Sequence, residues 1–291
     1  MSVQKIYGVV VVGLGIAGKV RVRDLKEATC GFRLQGVVSR RPVQIEGVTA
    51  FSLEEALNSP SVDALIICAE NALHEDYVRK GLESGKHVLV EYPVALSSQA
   101  ARSLYELADE KRLVLHEEDI ALLTESFNVL KAKAEKVELK AADYTVKGSY
   151  NGWIEDFDKS GLPFITGISG IQTMLALFGD LTVVGARLDK REDGFVAHAD
   201  LKTKNGKPIS MTFERTKTKE ARREKKAIYE FEDGDIIDAD KIPNSPQSKP
   251  GLFMQDLHLF YADVQNGKIS DNAKHLSVRS LEIAEKIHSF F

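Results

Sequence analysis

The stretch Tyr7-Gly8-Val9-Val10-Val11-Val12-Gly13-Leu14-Gly15-Ile16-Ala17-Gly18 decides the fold of this chain. Residues 7–12 form an almost continuous apolar run, the pattern of a strand buried on both faces. A Gly-x-Gly-x-x-Gly turn follows at once, and residues 17–27 read as a helix. In that strand–turn–helix setting each glycine has a physical reason. Gly13 permits the tight turn, Gly15 lets a pyrophosphate approach the backbone, and Gly18 lets helix and strand pack closely. Ile16 precedes the helix and Ala17 opens it, where unpaired N–H groups and the positive dipole end favour phosphate.

Working outward, short apolar runs at 34–38, 63–69, 87–91 and 113–116 alternate with helical stretches at 73–83 and 97–111. Ser52-Leu53-Glu54-Glu55 is a capping box opening another short helix. Alternating strands and helices predict a doubly wound parallel sheet of the Rossmann type. The second half changes character. Strand-like runs fall at 137–146, 183–188, 196–203, 209–214 and 228–232, with helices at 167–178, 253–265 and 275–288. Phe195, Ala197, Ala199 and Leu201 alternate strictly, as do Ile209, Met211 and Phe213, so one face is buried and one is wet. The predicted class is α/β: an N-terminal Rossmann domain plus a C-terminal α+β domain with a large, mostly antiparallel open sheet. The domains are expected at 1–122 and 123–291, with the boundary near 119–133, and 244–250 reads as a loop.

The chain has 291 residues, 43% hydrophobic and 28% charged, enough for two cores without a disulfide or metal staple. A net charge of -4 argues against a nucleic-acid partner. Cys30 and Cys68 have no paired spacing, so no disulfide framework and no metal site are expected. That usage suits a reducing compartment, and the expected location is cytoplasmic. No run approaches the ~18 apolar residues of a membrane span.

About 20 residues past the glycines, NAD enzymes place an acid on the ribose 2′-hydroxyl. Here the second strand ends in Ser39-Arg40-Arg41. No carboxylate stands in that segment, and a guanidinium offers a 2′-phosphate charge-assisted, bidentate bonds. The expected cofactor is NADPH.

Gly85-Lys86-His87-Val88-Leu89-Val90-Glu91-Tyr92-Pro93 resembles the G-K-H-V-x-x-E-K-P signature of the Gfo/Idh/MocA oxidoreductases. The resemblance implies a Rossmann domain joined to a sheet domain that carries the substrate site. It also implies that Glu91 lies near the nicotinamide ribose and that Pro93 shapes the turn as a cis bond. Tyr92 stands where most members carry a catalytic lysine, and Ile165 and Ser169 stand where they carry Asp and His. Oxidising an alcohol needs a base, so sugar oxidation is not expected.

Within that superfamily the chain is similar to the biliverdin reductases. The similarity is carried by residues 11–25, Val38-Ser39-Arg40-Arg41, residues 52–57, His74-Glu75-Asp76-Tyr77, residues 88–93 and Leu115-His116-Glu117-Glu118. Gly167-Ile168-Ser169 and Leu177-Phe178-Gly179-Asp180 add to it in the second half. It implies NADPH-dependent reduction of the central methine (C10) of the tetrapyrrole biliverdin to bilirubin, a step of heme catabolism. The pattern is incomplete. Gly170 replaces an arginine, Ala121 replaces a glutamate, and the helix around 277–285 lacks the zinc-linked His-Cys pair. Two other readings stay open: a different NADP-dependent reductase of the superfamily, and a non-catalytic NADPH-binding regulatory protein.

The cofactor residues expected are Gly13, Gly15, Ile16, Ala17, Gly18, Ser39, Arg40, Arg41, Ala69, Glu70, His74, Glu91 and Tyr92. Tyr92, Glu118 and Ser169 are the catalytic candidates, each able to order the water that delivers a proton. The alternative readings are a packing tyrosine for Tyr92, a helix-start carboxylate for Glu118 and an exposed helical histidine for His74. Tyr92, Arg222, Arg223 and Lys225 are the substrate candidates. The last three belong to a basic run from Arg215 to Lys226 that suits two propionates; a solvated hairpin loop or a nucleic-acid patch are the other readings. The substrate is expected between the nicotinamide and a broad apolar floor on the open sheet, in a monomeric protein.

Overall fold

A computed structural model describes residues 5–27, 31–42, 44–218, 223–243 and 250–291. The chain forms two compact units, one from residues 1–120 with 250–275, the other from 121–249 with 276–291.

The first unit follows the alternation read from the sequence. Its elements are β1 (Tyr7–Val12), α1 (Ile16–Glu27), β2 (Phe32–Val38), β3 (Thr49–Phe51), α2 (Leu53–Asn58), β4 (Ala64–Ile67), α3 (His74–Glu83), β5 (His87–Val90), α4 (Ser98–Lys111) and β6 (Leu115–Glu117). The strands pair in parallel in the order β3-β2-β1-β4-β5-β6. Every residue of β1 and β4 is buried, as a strand covered on both faces requires. The Ser52–Glu55 capping box forms in both directions. The short edge strand β3 carries too little pattern to be read from sequence.

The order turns back at β1, with β2 on one side and β4 on the other, so the crevice at their C-terminal ends is the switch point where such sheets bind ligands. The glycine turn, Ser39–Arg41, Cys68–Glu70, Glu91–Val94 and Glu118 all follow strand ends on that edge.

The second unit contains α5 (Glu125–Ala134), β7 (Leu139–Ser149), α6 (Phe157–Ser160), α7 (Pro163–Thr166), α8 (Ile168–Phe178), β8 (Leu181–Arg191), β9 (Gly194–Thr203), β10 (Pro208–Thr216), β11 (Glu224–Phe231) and β12 (Ile236–Asp238). Its sheet runs β12-β11-β7-β10-β9-β8, antiparallel except for the parallel β7–β10 pair. Thr124 caps α5, a helix overlapping the segment expected to be a boundary. The apolar face of the sheet is covered by the unit's own helices. Phe164 meets Phe213 edge-on at 4.9 Å, and a Cβ on Gly170 would lie 2.8 Å from Tyr144. The opposite face is polar: His198 bonds Thr212 and Asp200, and Lys226 pairs with Asp143 at 3.1 Å. The expected apolar floor on the open face is therefore corrected, because the apolar side chains of the alternating strands are spent on α7 and α8.

Two helices end the chain, α9 (Leu252–Asn266) and α10 (Asp271–His288). α9 belongs to the first unit, where the sequence reading had placed it in the second. Its buried residues include Asp256, Leu257 and Phe260, and the Phe260 ring stacks on Phe32 at 5.1 Å. Among the described residues no helix is long and apolar enough to cross a membrane.

Candidate cofactor and active site

The glycine turn separates packing from recognition. Gly13 sits at φ +94, and a Cβ there would lie 2.4 Å from the Cys68 carbonyl oxygen. A Cβ on Gly18 would lie 2.0 Å from the Gly13 carbonyl oxygen. Both are glycine because strand, turn and helix approach so closely. Gly15 differs, since a Cβ there would meet nothing within 4 Å. The protein's own packing does not require glycine at 15, but close approach of a phosphate does. Ile16 beside it is 90% exposed, an apolar side chain at the mouth of the crevice. With the unpaired N–H groups of the first turn of α1, these residues fit a dinucleotide.

Ser39, Arg40 and Arg41 follow β2 as the sequence implied. The Arg41 N–H donates to Ser39 Oγ at 3.2 Å. Arg40 is not alone: its Nη2 donates to Glu70 Oε1 at 2.6 Å. A carboxylate thus reaches the arginines after all, delivered from the end of β4 rather than β2. Sequence spacing could not show it, because the two residues meet only through the sheet order.

Tyr92 is part-exposed, at the end of β5, and the Tyr92–Pro93 bond is cis. The segment is pinned on both sides. His74 Nδ1 lies 2.7 Å from the Pro93 carbonyl oxygen and Nε2 lies 3.1 Å from that of Ala69. The Val94 N–H donates to Glu117 Oε1 at 2.7 Å. His74 is 1% exposed, so it is neither a surface histidine nor open to a ligand. Burial lowers its pKa and keeps the ring neutral, with one N–H to give. The shorter contact assigns that proton to Nδ1.

Behind Tyr92 lies a buried ion network that the sequence did not announce. Arg21 of α1, 0% exposed, donates from Nε and Nη2 to Glu91 Oε1 at 3.2 and 3.1 Å and from Nη2 to Asp256 Oδ2 at 2.6 Å. Its Nη1 donates to the Phe253 carbonyl oxygen at 3.0 Å. Burial opposes its charge, but Asp256 and then Glu91 more than offset this, so the guanidinium stays charged. His116 of β6 donates from both ring nitrogens, to Asp263 at 2.8 Å and Asp256 at 2.9 Å. Burial would lower its pKa, yet Asp256 and Asp263 raise it to about 9.

Glu91 is therefore fixed by Arg21, and burial, partly countered by that arginine, lifts its pKa. Glu118 is 0% exposed; its Oε1 accepts the Ile120 N–H at 2.8 Å. Burial first, then the charges of Glu91 and Asp256, push its pKa well above the ordinary carboxylate range. It is a sealed acid whose charged form is disfavoured, not a helix-start carboxylate in water. Burial likewise keeps the Cys68 thiol protonated.

In the second unit Ser169 is part-buried on α8, and its carbonyl oxygen accepts from Thr173 Oγ1 at 2.7 Å. Gly170 faces Tyr144 and Met211, leaving no room for the arginine expected there by resemblance. The basic run is not a hairpin, because β10 and β11 flank β7 on opposite sides. Lys225 lies 4.0 Å from Asp240 and 5.4 Å over the Tyr144 ring, and Lys217 pairs with Glu155 at 2.7 Å. Arg223 is exposed, and Arg222 lies outside the described residues. Among the described residues no group of three or more His, Cys, Asp or Glu is arranged to hold a metal ion.

Two family models divide the chain. Residues 7–118 match the oxidoreductase family with an NAD-binding Rossmann fold, and residues 129–246 match the biliverdin reductase catalytic domain. Biliverdin reductase A of Homo sapiens is 37% identical over 297 residues, covering 98% of this chain and 96% of that protein. Biliverdin reductase A of Mus musculus is 40% identical over 261 residues, covering 87% and 84%. A biliverdin reductase from Synechocystis sp. PCC 6803, solved with biliverdin and NADP+, superposes with a TM-score of 0.79 at 23% identity. That match covers 97% of this chain and 98% of the other and bears on the fold.

Proposed function

The chain belongs to the biliverdin reductase A family, and on that premise we propose that it reduces C10 of biliverdin, yielding bilirubin, with NADPH as reductant. When bound, NADPH supplies the hydride; the chain supplies binding, orientation and a path for the proton. Gly15 and the first turn of α1 receive the pyrophosphate, and Ser39, Arg40 and Arg41 hold the 2′-phosphate. Arg21 engages Glu91 Oε1, which leaves Oε2 to take a hydroxyl of the nicotinamide ribose.

The observation that carries the reading is the double pinning of the Tyr92 segment by His74 and Glu117 on the same sheet edge as the glycine turn. A residue held from both sides loses little entropy on binding its ligand. An unperturbed tyrosine, with a pKa of about 10, is a weak acid at neutral pH. Tyr92 therefore orders the water that delivers the proton rather than supplying it. Glu118 acts from behind the surface: beside Glu91 and Asp256, burial and their charges disfavour a third buried negative charge next to the site. Ser169 is the second unit's candidate for the same water-ordering task, and Arg223 its candidate partner for a propionate. We further propose a monomeric, cytoplasmic enzyme without a nucleic-acid partner, binding its cofactor on the first unit and its substrate on the second.

The test is turnover of biliverdin by NADPH, followed by the change in bilin absorption. Tyr92→Phe is expected to lose less than about 100-fold, below the whole 10²–10⁴ range of general acid catalysis. A thousandfold loss with NADPH and biliverdin still bound would make Tyr92 the acid. A wild-type chain that binds NADPH but leaves biliverdin unchanged would favour the non-catalytic reading.

A further inference from the structure

Arg40 and Glu70 leave the sheet from strands that do not touch. Arg40 follows β2 and Glu70 follows β4, with β1 and its glycine turn between them. Their 2.6 Å contact spans the width of β1 at its C-terminal edge. The pair is lopsided, with Arg40 71% exposed and Glu70 22% exposed. Glu70 makes no capping bond to the short turn it precedes, so no local backbone need accounts for its carboxylate. The chain thus places an acid on an arginine that the cofactor reading assigns to a phosphate.

We propose that Glu70 is a specificity-determining residue that limits the preference of this chain for NADPH over NADH, by competing with the 2′-phosphate for Arg40. The inference rests on the dinucleotide reading given above. A guanidinium presents its donors in a fixed planar fork, and Nη2 is already directed at Glu70 Oε1. A 2′-phosphate arriving at Arg40 must take that donor from the carboxylate or share it at like-charge distance. The dinucleotide without the phosphate meets the opposite situation. Its ribose 2′-hydroxyl donates a hydrogen bond, and a carboxylate is the acceptor that NAD-binding sheets commonly place there. Glu70 therefore weakens one cofactor and supports the other. Because the pair is exposed, the expected effect is modest, about two- to fivefold.

Calorimetric titration of the whole chain with NADP+ and with NAD+ decides the matter, using wild type, Glu70→Gln, Arg40→Ala and the double variant. A thermal melt of each ligand-free protein confirms folding. Glu70→Gln is expected to tighten NADP+ about two- to fivefold and to leave NAD+ unchanged or weaker. In the Arg40→Ala background the same replacement is expected to leave NADP+ unmoved, since nothing remains to compete for. NADP+ unchanged by Glu70→Gln, or both dinucleotides tightened equally, overturns the inference while the cofactor reading stands. Tightening that persists without Arg40 also overturns it, because Glu70 would then act by distant repulsion. A wild-type chain that binds neither dinucleotide refutes the cofactor reading itself, and the competition with it.

Discussion

Arg21 and Arg40, both in the first unit, meet carboxylates under opposite conditions. Arg21 is 0% exposed and shared between Glu91 and Asp256, while Arg40 is 71% exposed and held by Glu70. In water the attraction between such groups is nearly cancelled by hydration and chain entropy, so an exposed pair contributes little to folding. Out of water neither charge can be left behind without a large desolvation cost. The sealed pair is therefore part of the fold, and the wet pair is free to exchange its partner for a ligand. Proximity of opposite charges says little about role until burial is known.

Removing one member of the sealed pair is the strongest way to break this contrast. Arg21→Met strands Glu91 and Asp256 and is expected to cost roughly 3–5 kcal/mol of stability. Urea unfolding measures it directly, and the melting point should fall by roughly 10 °C. A shift within about 1 °C would place both pairs in the same class. The wet pair should instead show itself in ligand binding. Arg40→Ala is expected to weaken NADP+ by roughly 1.5 kcal/mol, the lower end of the range for a hydrogen bond to a charged group because Glu70 competes for the donor, and to leave NAD+ almost unchanged. Equal losses for both would make Arg40 structural.

The buried network also predicts a pH dependence with a definite sign. His116 is lifted from about 6.5 unfolded to about 9 folded, so the folded state binds the extra proton. Its contribution is fully present below pH ~6.5 and is lost as pH rises through 9. Unfolding free energies measured from pH 6 to 10 should decline across that window, and the decline should flatten in His116→Gln. His288 works in the reverse sense, because burial lowers it to about 4 and it accepts the Phe164 N–H. That contribution is complete above pH ~6.5 and disappears as pH falls toward 4. The smallest effect expected is that of Arg40→Ala on stability, within about 0.5 kcal/mol in the same urea titration.

The parallel sheet was legible because its signals are local. The glycine turn needs only the residues around it, and buried strands announce themselves as apolar runs. The second sheet was legible through alternation, as in Ile209, Met211 and Phe213, but alternation does not say which cover lies on the apolar face. The site was legible where it is short-range, at Gly13–Gly18, Ser39–Arg41 and Tyr92–Pro93. It was hidden where it depends on contacts across the fold. Arg21 sits among Lys19, Val20, Val22 and Arg23, a setting that reads as an exposed helical arginine. Its burial is decided by Asp256, 235 positions away. His116 and Glu118 were visible as a polar strand end, but the raised pKa of each follows from burial and from neighbours that no spacing reveals. α5 escaped notice because only Phe127 and Leu130 of its ten residues are buried.

The placement of α9 has a consequence for how the protein is made. Strands β1 to β6 leave the ribosome first, yet the helix that seals Arg21, His116 and Phe32 is encoded from residue 252. At about 5–20 residues per second, synthesis of residues 121–249 keeps the early sheet waiting roughly 6–26 s for its last wall. Throughout that interval two basic side chains lack the carboxylate they share, and an aromatic surface lies bare. A stop codon between residues 121 and 250 would therefore leave the glycine turn and both arginines after β2 intact in sequence while stripping the dinucleotide half of its closing helix. Nascent chains stalled in that window are expected to be targets for chaperones and proteases, although every residue proposed to hold the cofactor has already been translated.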